Sequence, residues 1–242
     1  AVLRRGETLE QALPAAVADV RKGEDKALAR AIASETLRWL TDLDALIDCA
    51  TAKPLPADAK ARMVLRLMLA QWLRLGTPPH AVVATGLELL AAGPRRLAHG
   101  VFASLTRQEV TLPAAPTLPE AVAARWGERA PAIAAGLAEP PPLDLALRDV
   151  GETALWASRL AADSLAPGHL RIARGDAVEK LPGFEEGAWW VQDLAASLPA
   201  RLLGVGEGRH ALDLCAAPGG KTLQLAAAGW QVTALDISKR RL

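Results

Sequence analysis

Residues 211–222 read ALDLCAAPGGKT, and ALDI follows at residues 234–237. The apolar run 211–215 predicts a buried parallel strand, and Pro218-Gly219-Gly220 ends it in a tight turn. Residues 221–228 predict a helix, and residues 231–237 a second strand carrying Asp236 at its tip. A strand, a glycine turn, a helix and a strand ending in an acid form half of a nucleotide-binding βαβ unit. Glycines let the backbone approach a ligand closely. An acid at the tip of the second strand can accept bonds from the two hydroxyls of a ribose.

Three ligands compete for such a unit. A P-loop needs glycine where this chain has Cys215, so Lys221-Thr222 is only a partial match. A dinucleotide fingerprint needs G-x-G-x-x-G, but Pro218 precedes two adjacent glycines and Leu223 stands where the third glycine would fall. Without a full phosphate cradle, a nucleoside lacking phosphates is the better candidate, and S-adenosylmethionine fits that description.

The chain has 242 residues, long enough for one large or two modest domains. Hydrophobic residues make up 51% and charged residues 23%, which implies a globular, well-buried protein. No apolar run reaches membrane-spanning length, and no signal peptide is recognisable. The first residue is Ala with no initiating Met, so we expect a cut N-terminus. Two cysteines, Cys49 and Cys215, cannot build a disulfide framework or a zinc site, which agrees with a reducing cytoplasm. A formal net charge of +1 does not announce a nucleic-acid binder, so any RNA contact must come from local patches.

Residues 1–112 read as a helical bundle. Thr8-Leu9-Glu10-Gln11 is a capping-box pattern. Leu28, Ile32, Trp39, Leu43 and Ile47 keep one helical period, stopped by Pro54 and Pro56. Val64, Met68, Trp72 and Leu75 mark the next stripe, closed by Gly76. Val83, Leu87 and Leu90 follow, closed by Gly93-Pro94, and Leu97, Val101 and Leu105 come last. Short loops imply antiparallel packing. A proline-rich stretch, 111–119, leads to a short helical region around Trp126 and Ile133, and Pro140-Pro141-Pro142 breaks the chain. Residues 143–147, 170–173 and 189–191 predict short strands, with a helix over 152–162. Asp193 is expected to cap a helix running to Leu203.

DLCAAPGGKT resembles the cofactor motif of RNA cytosine-5 methyltransferases. Residues 181–187 (LPGFEEG) and Val191-Gln192-Asp193 resemble the same family. Thr77-Pro78-Pro79-His80-Ala81 and its helical surroundings resemble the NusB-like front domain of one branch. From end to end the chain is similar to the Fmu/Sun-type bacterial 16S ribosomal RNA methyltransferases, a family that continues well beyond Leu242. The resemblance implies a multidomain fold. An all-α NusB-like RNA-binding bundle (1–112) and a helical linker (113–142) precede a small α/β module (143–191). The start of a class I, Rossmann-like α/β methyltransferase sheet occupies 192–242.

The resemblance also implies the chemistry. S-adenosylmethionine would be held by Cys215, Ala216, Ala217, Pro218, Gly219, Gly220, Lys221 and Asp236. The role of Lys221 stays open between ligand contact and helix start. The partner is ribosomal RNA, the product 5-methylcytosine, and the protein a monomer with neither metal nor membrane. In this family a cysteine thiolate adds to C6 of cytosine and makes C5 nucleophilic toward the methyl group. That cysteine lies downstream, so the nucleophile is expected beyond Leu242 and no catalytic residue within the chain. Two strands and one helix would leave apolar surface exposed, so we expect a fragment, or the ordered part, of a longer enzyme.

Bland alternatives accompany each residue. Cys215 reads as a small buried residue closing a strand rather than a nucleophile, and Cys49 as core. Arg62 and Arg66 lie one helical turn apart, with Lys60 and Arg74 nearby, and Arg95, Arg96 and His99 cluster at another helix start. They are candidate phosphate contacts, though a solvated helix face is the favoured reading. His80 reads as a loop or capping residue. The seven tryptophans read as core, with one of Trp189 and Trp190 exposed because adjacent strand residues face opposite ways. The rival function is a NusB-like RNA-binding or antitermination-type adaptor with a non-catalytic nucleotide-binding remnant. The intact CAAPGGKT with Asp236 argues against it.

Overall fold

The computed structural model describes every residue except Arg174, Asp176, Lys239, Arg240 and Leu242. It divides into two compact units, Ala1–Pro140 and Pro141–Leu242. The expected linker 113–142 therefore falls almost wholly within the helical unit. The segments expected as separate, 143–191 and 192–242, share the second.

The helical unit holds α1 (Val2–Arg5), α2 (Leu9–Ala16), α3 (Gly23–Arg38), α4 (Leu40–Cys49), α5 (Lys60–Leu73), α6 (Pro79–Gly86), α7 (Ala92–Arg107), α8 (Glu120–Trp126) and α9 (Ala130–Leu137). Thr8 and Gln11 close the expected capping box at the start of α2. The core gathers Trp39, Leu43, Ile47, Leu65, Met68, Leu69, Val82, Phe102 and Leu105 around α5. Two expectations need correction. The period from Leu28 to Ile47 belongs to two helices, because the chain leaves helical geometry at the buried Trp39 (φ −103°, ψ 18°). Gly93-Pro94 lies in the first turn of α7 and does not close α6. Pro is tolerated there because first-turn amides have no helical partner.

The end of this unit is tied back by charge. Arg38 donates to the carbonyls of Leu137 (2.7 Å) and Glu139 (3.2 Å), and Arg74 donates to that of Ala138 (3.1 Å). Asp42 takes both the hydroxyl (2.6 Å) and the amide (2.9 Å) of Thr117. The proline-rich stretch is thus anchored to the bundle.

The second unit opens with β1 (Leu143–Leu147), α10 (Thr153–Arg159), β2 (Asp163–Ala166), β3 (His169–Ile172) and β4 (Trp189–Val191). They form an antiparallel sheet of order β2-β3-β1-β4. β2 was not among the expected strands: its Asp163 and Ser164 are exposed, and Leu165 and Ala166 half-buried. One sheet face buries Leu145, Leu147, Leu170, Ile172, Trp156 and Trp189. Trp189 is buried and Trp190 half-buried, so neither is exposed as expected; the Trp190 indole donates to Gln192 at 2.8 Å. Gly183, at φ +89°, sits against both rings of this core. A Cβ there would stand 2.6 Å from the Trp156 ring and 2.7 Å from Trp189 Nε1. Gly183→Ala should therefore destabilise the second unit by about 1–3 kcal/mol, measured by denaturant unfolding; an unchanged midpoint would contradict this packing.

Helix α11 (Leu194–Arg201) follows, capped by Asp193, whose carboxylate accepts the Ala196 amide at 3.1 Å. It stops two residues short of the expected Leu203. Then come β5 (His210–Asp213), α12 (Gly220–Ala227) and β6 (Gln231–Ala234), with β5 and β6 parallel and paired Asp213 to Ala234. Both strands end earlier than expected, and neither is buried: exposed and half-buried residues alternate along each, and Leu212 in β5 is 59% exposed.

Candidate cofactor-binding site

The turn after β5 is held from several sides. Asp213 accepts the Thr222 hydroxyl at 2.7 Å and the Cys215 amide at 3.4 Å, clamping the loop to both its ends. The Ala216 amide donates to Leu235 at 3.0 Å, continuing the pairing beyond the strands. The Ala217–Pro218 peptide is cis. Gly219, at φ +102°, is the N-cap of α12 and offers no side-chain cap. Open space lies where its Cβ would be. The first amides of α12 are thus left without a side-chain acceptor, at the positive end of the helix.

Asp236 lies two residues past β6 and returns to the same turn. Its Oδ2 accepts the Ala217 amide at 3.0 Å, and its Oδ1 accepts the Ser238 amide at 2.8 Å. The Ser238 bond, outweighing partial desolvation, and then the Ala217 bond and Arg241 hold this carboxyl below the usual carboxylate range. Each oxygen keeps a lone pair for a further donor.

A cleft of about 200 Å³ opens beside the turn. Cys215, Ala216, Ala217, Pro218, Gly220 and Lys221 line one side, and Val191, Gln192, Asp193 and Ala196 the other. Gly219 and Asp236 shape the loop without lining the cleft. The sequence reading assigned no role here to Gln192, Asp193 or Asp213. The available signals were the family resemblance of Val191-Gln192-Asp193 and, for Asp213, its place at the end of a strand.

The cysteine expectations need correction, because both Cys49 and Cys215 are exposed. Cys215 falls past the end of β5, where no second face covers it. His80 lies in the first turn of α6, exposed and without a capping bond.

The arginines separate into two kinds. Arg62 and Arg66 are 6% and 4% exposed, so they are neither phosphate contacts nor a solvated face. Arg66 grips Asp44 through two bonds of 2.7 Å. Arg62 bonds Asp44 at 2.9 Å and Asp48 at 2.7 and 2.8 Å, and donates to the Leu55 carbonyl at 2.8 Å. Two acids on α4, Asp44 and Asp48, pulled these guanidinium groups inward, a pairing invisible in α5 alone. Arg74 likewise pairs with Glu35 at 2.9 Å. Arg95 and Arg96 are exposed near the start of α7, His99 is exposed in its middle, and Lys60 is exposed at the start of α5.

Fold and cleft define a protein with a helical front unit and, in the second unit, a parallel β5-α12-β6 segment whose glycine turn lines a cleft. Residues 2–99 match the NusB family. The whole chain aligns with "Ribosomal RNA small subunit methyltransferase B" of Xylella fastidiosa (strain Temecula1 / ATCC 700964), at 33% identity over 61% of that protein. It aligns likewise with the protein of the same name from Klebsiella pneumoniae, at 31% identity over 62%. The chain thus spans about three fifths of the length of the curated relatives it matches. The solved structure of PH0851 shares the fold, with a TM-score of 0.62 at 19% identity over 92% of this chain and 57% of that one. The front of the chain thus matches the NusB family, and the chain as a whole is similar to proteins named as ribosomal RNA small subunit methyltransferases.

Proposed function

We propose that the protein is an S-adenosylmethionine-dependent methyltransferase that forms 5-methylcytosine in small-subunit ribosomal RNA. The observation that carries this reading is the intact turn 215–221 beside Asp236, in a chain similar from end to end to proteins named as ribosomal RNA methyltransferases. The residues present fit the cofactor. The uncapped start of α12 and Lys221 offer positive charge for a carboxylate, and Asp193 lies across the cleft from them. Asp236, its side chain 5% exposed and already taking the Ala217 and Ser238 amides, is assigned to the ribose by the family resemblance. When bound, the cofactor supplies an electrophilic methyl group. The chain's own residues hold it and fix its orientation, which is where such a site gains rate. The nucleophilic cysteine that the family resemblance implies is assigned no residue in 1–242.

The NusB-like unit is assigned to RNA through the exposed Arg95 and Arg96, as contacts that position the strand without reading sequence. Replacing both with Ala should weaken RNA binding and flatten its dependence on log salt by about one to two units. The buried Arg62 and Arg66 should change stability and leave that slope alone. An unchanged slope for the Arg95/Arg96 pair would remove them from the interface. We place the protein in the cytoplasm on the strength of its ribosomal substrate. No described helix is long and apolar enough to cross a membrane.

The reading is tested with the product of the full reading frame that contains this chain, incubated with methyl-labelled cofactor and unmethylated small-subunit RNA, the RNA then being digested to nucleosides. Label in 5-methylcytidine supports it. Label in another nucleoside would contradict the cytosine-5 assignment. Cofactor-independent RNA binding with no transfer would favour the adaptor.

A further inference from the structure

Gln192 lies between β4 and α11 and is 7% exposed. Its side chain joins three elements through a chain of hydrogen bonds. Its Oε1 accepts the Trp190 indole N–H at 2.8 Å, and its Nε2 donates to Gln224 Oε1 on α12 at 3.0 Å. Gln224 Nε2 then donates to the Ser197 carbonyl on α11 at 3.1 Å. The Gln192 amide N–H donates to the Asp144 carbonyl of β1 at 3.0 Å. The direction of the relay is fixed at both ends. An indole can only donate and a carbonyl can only accept, so both glutamine amides must point one way.

The relay sits at the cleft. Gln192 is part of its wall, and its Cδ lies 3.5 Å from where a Cβ on Gly220 would stand. Gly220 opens α12, and Gln224 is one turn further along the same helix. The two glutamines therefore set how far the first turn of α12, with Gly220 and Lys221, stands from α11, with Asp193 and Ala196 beside it.

We propose that Gln192 is a positioning residue for the cofactor: through Gln224 it fixes the width of the cleft between the starts of α11 and α12. The proposal rests on the assignment of this cleft to S-adenosylmethionine. It predicts that breaking the relay at either glutamine loosens the same geometry once.

The test compares Gln192→Leu, Gln224→Leu and the double variant with the wild type by calorimetric titration with S-adenosylmethionine, alongside thermal unfolding. Each single variant should bind roughly five- to twentyfold more weakly, the loss of one buried hydrogen bond's worth of affinity. The double variant should bind no more weakly than the worse single one, within about twofold. Gln192→Glu should behave like Gln192→Leu, because a carboxylate cannot donate: it could only accept from Gln224, and only if that side chain turns its N–H groups round and releases Ser197. Variants that melt earlier but bind with wild-type affinity would overturn the proposal and leave the cofactor assignment standing, as would additive losses in the double variant. A wild-type protein that does not bind the cofactor would overturn both. Should Gln192→Leu fail to fold, Gln224→Leu, at a half-buried site, carries the same comparison.

Discussion

Asp236→Ala is expected to weaken S-adenosylmethionine binding about ten- to a hundredfold, the range expected when charge-assisted bonds to a ligand are lost. The effect has two sources. The ribose would lose an acceptor, and the Ala217 and Ser238 amides would lose the carboxylate that holds the turn to the end of β6. Asp236→Asn should rescue little. Two backbone donors approach opposite oxygens, and an amide supplies only one acceptor while placing an N–H against the other donor. Calorimetry separates the outcomes. An Asn variant with wild-type affinity would show that the carboxylate does neither job.

In the helical unit, Asp44→Ala should lower stability by about 3 kcal/mol, the low end of what removing one partner from a buried ion pair costs. Arg62 and Arg66 would stay buried, with side chains 7% and 4% exposed, while Asp44 itself is 25% exposed. For a unit of this size the melting temperature should fall by roughly 6–12 °C. Asp58→Ala is the control. Asp58 pairs with Arg4 at the surface, its side chain 74% exposed, and its removal should be nearly neutral. Equal shifts for the two variants would contradict the burial argument. Partial desolvation raises the Asp44 pKa, but bonds from Arg66 and Arg62 outweigh it and hold it below the ordinary value. The stabilisation is therefore fully present above the unfolded-state carboxylate range and lost as pH falls through the folded-state value. Wild type and Asp44→Ala should converge in stability at acid pH.

The glycine turn, the helix after it and the parallel pairing of β5 with β6 were legible because they depend on neighbouring residues. The capping box at Thr8 and the cap at Asp193 were legible for the same reason. What failed depended on partners distant in sequence. Arg62 and Arg66 look solvent-facing within α5, and only Asp44 and Asp48 on α4 bury them. The break at Trp39 interrupts a period that continues across it, so periodicity alone could not find it. The polar strand β2 exists because β3 offers it an edge. At the site, family resemblance named the turn and marked Val191-Gln192-Asp193, but not that these residues, with Ala196, form the wall opposite the turn. That wall comes from β4 and α11, and its partnership with the turn is tertiary.

Amide hydrogen exchange of the protein with and without S-adenosylmethionine tests the central assignment most directly, since it reports where the ligand sits residue by residue. The cleft reading predicts slowed exchange at 215–223, at 191–196 and at 236–238. Cofactor binding that protects another segment and leaves the turn 215–223 unchanged would contradict it.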